Sequence, residues 1–184
     1  MLPGTQSNLA TQTVQAWHTA HAAAVHAAVQ STTTNYRNAA LLDLADRLVG
    51  HLPAHLLQRL GIQSTTTKVL ISAETQRHAI ARRAISSQID AELVASRIAE
   101  AFANVQYLLF PQRNPNVPLL LGRVESADKW MVLPLKFIRA DSSKSHADEF
   151  WIATAYPLGR TNFDIAKKKG LLIQVKRDLE FNSA

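Results

Sequence analysis

The chain of 184 residues contains no cysteine. That absence removes disulfides, iron–sulfur clusters, thiolate zinc sites and cysteine nucleophiles together. Glycine is sparse as well, with six in the whole sequence. No G-x-x-x-x-G-K-S/T, G-x-G-x-x-G or G-x-S-x-G pattern is present, so NTP hydrolysis, dinucleotide binding and hydrolase-elbow chemistry have no support. Long apolar runs are missing too. The longest uncharged apolar tract, around Leu119–Gly122, is far too short to span a bilayer, which predicts no membrane segment. Residues 1–16 lack the basic start and apolar stretch of a secretory signal, so export by that route is not expected.

Twenty Lys and Arg stand against 14 Asp and Glu, a formal charge of +6. At 47% hydrophobic and 18% charged, the composition is that of a folded domain. Charge is uneven along the chain. Residues 1–60 carry only Arg37, Arg47, Arg59, Asp43 and Asp46, together with five of the seven histidines. Nearly all of the excess thus falls in residues 61–184. Because acids are interspersed there, one small cationic cleft is expected rather than a basic surface. The sequence divides accordingly into a helical N-terminal extension, 1–60, and a second domain, 61–184.

Within the first zone, Val14, Trp17, His21, Val25 and Ala28 recur at helical spacing over Thr13–Val29. The polar, β-branched run Ser31–Thr34 breaks or weakens that helix. Leu41, Leu42, Ala45, Leu48 and Val49 predict a second helix ended by Gly50, and Pro53 opens a third over His55–Leu60. These helices cannot bury their stripes alone; they pack on the second zone or on another copy of the chain.

The second zone begins with a short strand, Lys68–Ile71. Ser72 is placed to cap a helix from Ala73 to about Ile85, and Ser87 or Asp90 to cap another carrying Leu93, Ile98, Ala101 and Phe102. Val105–Phe110, Leu119–Val124, Met131–Arg139 and Phe150–Tyr156 follow as strands, with a last candidate at Leu171–Lys176. The fold class read from this order is α+β: N-terminal helices followed by a curved four-stranded antiparallel meander.

Three groups of residues carry possible chemistry. His18, His21 and His26 share an alanine-rich helix, and His51 and His55 are four apart. Pro53 intervenes and no H-E-x-x-H forms, so ordinary histidines and no metal are expected. Lys167–Lys169 read as a solvated basic loop. The third group is spread over several elements. Arg77, His78, Arg82 and Arg83 lie on one helix, with His78 and Arg82 on one side. In the strand near Trp130–Arg139, Leu133, Leu135 and Phe137 share a face and Lys136 takes the opposite one. Alternation over Phe150–Tyr156 places Ile152, Thr154 and Tyr156 together, ahead of Pro157.

The order of these pieces resembles the barnase–EndoU–colicin–RelE (BECR) superfamily of ribonucleases, and most of all its phage-associated barnase-like nuclease domains. The residues that carry the resemblance are the strand-to-helix segment Val69–His78 and a T-x-Y-like strand end, Thr154 and Tyr156. It covers about residues 66–158. A second histidine later in the helix is common in the family, and this chain has Arg82 and Arg83 in that region.

The resemblance implies a metal-independent, cofactor-free endoribonuclease, toxin-like or phage-associated. In such an enzyme a 2′-OH attacks the adjacent phosphorus and leaves a 2′,3′-cyclic phosphate. It implies His78 as general acid or base, Lys136 as a transition-state cation, and Thr154 and Tyr156 as hydrogen-bonding groups at the phosphate. Arg82, Arg123 and Arg139 would bind RNA phosphates, and Tyr156 or Trp130 would stack on a base. It further implies a cytoplasmic setting in a bacterial or phage-infected cell, with RNA and an acidic immunity or antitoxin protein as partners. The rival reading is a non-catalytic nucleic-acid- or protein-binding assembly module on the same fold. In that case residues 1–60 would build a homo-oligomer, and the Arg82–Arg83 pair would mark phosphate contacts kept after the chemistry was lost.

Overall fold

A computed structural model describes residues 13–32, 44–84, 86–140 and 147–175. The chain is α+β, with six α-helices among these residues and one mixed eight-stranded sheet. Helix α1 (Val14–Ala20) starts where the Thr13 hydroxyl accepts from the Ala16 N–H. Helix α2 (Ala22–Thr32) follows after a break at His21, so the expected single helix over Thr13–Val29 is two.

The helix expected across Leu41–Val49 is corrected. Arg47–His51 is a strand, β1, paired antiparallel with β2 (Lys68–Ile71); residues 41–43 lie outside the described residues. Leu48 and Val49 fit either period, and the free edge of β2 decides between them. Between the two strands, α3 (Ala54–Leu60) ends at Gly61, whose φ of 67° is the left-handed cap conformation that glycine adopts freely.

Helix α4 (Ala73–Ala84) opens with two backbone caps. Ser72 Oγ accepts from the Thr75 N–H at 3.0 Å, and Asp46 Oδ1 accepts from the Ala73 N–H at 2.9 Å. Helix α5 (Gln88–Ala103) is capped by Ser87 Oγ on the Asp90 N–H. It buries Leu93, Val94, Ile98, Ala101 and Phe102 against the sheet. A Cβ on Gly122 would lie 1.8 Å from the Ala101 carbonyl oxygen, so only glycine lets α5 rest on the sheet there.

Strands β3 (Val105–Leu109), β4 (Leu119–Val124), β5 (Lys129–Ile138) and β6 (Glu149–Ile152) are antiparallel neighbours in chain order. They belong to a larger sheet than expected. Its order is β1-β2-β6-β5-β4-β3-β8, where β8 is Ile173–Gln174, and β2 pairs with β6 in parallel. The expected strand Phe150–Tyr156 is interrupted: β6 stops at Ile152, and β7 (Tyr156–Leu158) resumes along β5. Helix α6 (Arg160–Lys168) then occupies a stretch for which no element was predicted. Lys167 and Lys168 therefore sit in a last helical turn rather than in a loop.

Val14, Val49, Leu52 and Leu56 belong to the same apolar cluster as α5 and the central strands. The proposed boundary at residue 60 thus passes through one continuous core. A second cluster joins Trp17, Val25 and Val29 to Ile80, Ala84 and Ala91, which seats α1 and α2 on α4 and α5. The third lies on the other sheet face, where Phe163 of α6 covers Leu121 and Val132.

Candidate functional site: a cleft between β5, β7 and α6

On β4 and β5, Arg123 and Trp130 are cross-strand partners, so their side chains rise from the same sheet face. The Arg123 guanidinium lies 5.4 Å from the Trp130 ring centroid. Phe163 stacks on the indole at 4.5 Å and 6°, and Tyr107 meets both rings edge-on. Helix α6 is held over this cluster by Phe163, its one buried residue.

Beside the aromatic cluster opens a cleft of about 580 Å³. Trp130, Phe163, Pro157 and Leu158 supply its apolar lining; Arg123, Lys129 and Arg160 are its cations, and Asp90, Asp128 and Asp164 its anions. Most of these charges are already paired. Arg123 contacts Asp128 and, at 4.0 Å, Glu125, while Lys129 Nζ donates to Asp90 at 3.0 Å. The side chains of Arg160 and Asp164, both exposed, form no ion pair or hydrogen bond with the described residues. The interior is close to neutral, and one free guanidinium and one free carboxylate stand at its rim. The expected cationic cleft is thus a balanced one.

Two of the four residues assigned to RNA contact, Arg123 and Trp130, are brought together here. The other two are elsewhere. Arg82 is exposed on α4, and Arg139 lies past the end of β5 with its guanidinium 5.7 Å from the Phe137 ring.

The four residues assigned to catalysis do not meet. His78 is exposed on α4, in line with Glu74 and Arg82. Lys136 is exposed on β5 beside its cross-strand partner Trp151, with Leu135 and Phe137 turned to the helical side. The sheet therefore lies between Lys136 and the helix layer that carries His78. Thr154 falls in the break between β6 and β7, where the register slips by one residue. Leu135 faces Ile152 before the break, and Val132 faces Tyr156 after it. Such a slip exchanges faces. Ile152 and Ala155 accordingly point into the main core, and Tyr156 joins the cluster under α6.

Tyr156 does have a charged neighbour, the Arg83 guanidinium, 5.4 Å from its ring. Burial pushes the phenol's pKa above its ordinary value, and the Arg83 charge partly opposes that shift. His78 precedes Arg83 by five residues, which puts it roughly 140° around the helix and away from the phenol.

Sequence reasoning missed Phe163, Lys129, Arg160 and the three aspartates. The signal for α6 was present, with Gly159 before it, Phe163 within it, and Gly170 at φ 66° just past its end. No group of three metal-ligating side chains occurs among the described residues. Comparison of the chain with protein-family models, with curated proteins and with solved structures finds no match.

Proposed function

We propose that the chain is a non-catalytic RNA-binding module that seats one nucleotide of a single strand in the cleft between β5, β7 and α6. One observation carries the reading: an aromatic, charge-balanced interior adjoins a free guanidinium, Arg160, at the rim. A nucleobase is planar and uncharged, so it suits such an interior, where each base–aromatic contact contributes about 1–3 kcal/mol. The free Asp164 carboxylate accepts from an exocyclic amine of the base. Arg160 takes the adjoining phosphate, and the net charge of +6 draws the polyanion in.

The resemblance to the BECR superfamily enters this reading as a relation of fold, with phosphate contacts kept and chemistry lost. The separation of His78, Lys136 and Tyr156 favours it over an endoribonuclease.

Fluorescence anisotropy with a labelled single-stranded RNA tests the proposal. Affinity is expected to fall steeply between about 50 and 200 mM salt. Arg160→Glu should weaken it about tenfold and reduce the salt slope by about one. The RNA should remain intact in EDTA. Absence of binding at low salt, or an Arg160→Glu protein that binds as well as the parent, would overturn the assignment. Cleavage that disappears in His78→Ala would return the endoribonuclease.

A further inference from the structure

A second cavity, of about 270 Å³, lies at the opposite end of α5 from the cleft, between β1, α3 and the last helical turn. Its walls are apolar, formed mainly by Val49, Leu56, Phe102, Val105 and Val175. Gly50 keeps it open. A Cβ at that position would lie 2.9 Å from the Phe102 ring, which would have to shift. Ala99 and Ala103 add two more short side chains on the α5 side.

Among the described residues, the titratable groups that line this cavity are two imidazoles, His51 and His55, and no Lys, Arg, Asp or Glu does so. His51 Nδ1 lies 3.1 Å from the Thr67 hydroxyl, and no described residue bonds its Nε2. The imidazole of half-buried His55 makes no hydrogen bond or ion pair with the described residues. Two histidines without a third ligand are a poor metal set. As donors beside an apolar cavity they suit an anionic oxygen on an apolar body.

We infer that this cavity binds a small carboxylate, with its ring or short acyl chain among Val49, Leu56 and Phe102 and its carboxylate at His51 and His55. Size agrees with this occupant. An apolar cavity of about 150 Å³ accepts benzene, so this one has room for a phenyl ring and a short substituent. The site is separate from the RNA cleft, and neither depends on the other.

Calorimetric titration with phenylacetate and with its neutral isostere phenylacetamide, near neutral pH, tests the inference. Phenylacetate should bind saturably. The double substitution His51→Ala and His55→Ala should weaken it about tenfold while leaving phenylacetamide unchanged, since it removes only the charge-assisted contacts. Ala103→Leu alters an exposed position that borders the cavity, so the fold is expected to tolerate it while both probes lose binding. The inference fails if phenylacetate shows no saturable binding, or if Ala103→Leu binds it as the parent does. It fails equally if the histidine substitutions leave phenylacetate affinity untouched.

Discussion

His18 is 5% exposed in α1, edge-on to Trp17, and its Nε2 has no hydrogen-bond partner among the described residues. Burial, assisted by the nearby Arg47 guanidinium, lowers its pKa from 6.5 to about 4. In the unfolded chain the imidazole takes up a proton below about pH 6.5; in the folded protein it does so only near pH 4. Between those values the unfolded state binds more protons, so stability falls as pH falls, by on the order of 3 kcal/mol in total. Urea unfolding at the two ends of that window should show the loss, and His18→Phe, which keeps a ring against Trp17, should lessen it. Equal pH slopes in the two proteins would exclude His18 as the cause. Asp148 adds a separate acid sensitivity, common to both. Backbone N–H groups of Thr65 and Ala140 bond its carboxylate and lower its pKa, a contribution lost as pH drops below the ordinary carboxylate value. Chemistry-bearing residue types were legible in the sequence at this scale, but their companions were not. Arg123 and Trp130 were singled out separately, and only the β4–β5 register makes them neighbours.

Among the elements, capping was read correctly because it is local. Ser72 and Ser87 each bond an N–H three residues on, as their spacing predicts. Ser87→Ala should cost about 1 kcal/mol of stability by leaving the Asp90 N–H unpaired. Thermal unfolding checks this, and an unchanged midpoint would show that water replaces the hydroxyl at no cost. Strand assignments were less legible where long-range partners decide. β1 carries a helical stripe, yet it pairs with β2. The β6–β7 break runs through Ala153, Thr154 and Ala155, which include no Gly, Pro, Asn or Asp to announce it. A one-residue slip there is enough to put Ile152 and Tyr156, which simple alternation would place together, on opposite faces of the sheet.

For the whole molecule, the charge of +6 is best followed through its pairing. Arg97, Arg123 and Lys129 are bound to carboxylates, while Arg77, Arg82, Arg160 and Lys167 have no ion-pair partner among the described residues. Salt dependence of the proposed RNA binding should therefore follow substitutions at the second set more than at the first. The parallel pairing of β2 with β6 has a different consequence, in the timing of synthesis. Val69 and Leu70 leave the ribosome long before Phe150 and Trp151, their neighbours in the sheet. Until then β2 has an open edge and the core that Phe150 and Ile152 will fill is incomplete. A chain cut after β5 should be sticky and collect in aggregates. A synthetic peptide of residues 147–158, supplied during refolding, should rescue its solubility, because a late-made strand closes the middle of the sheet.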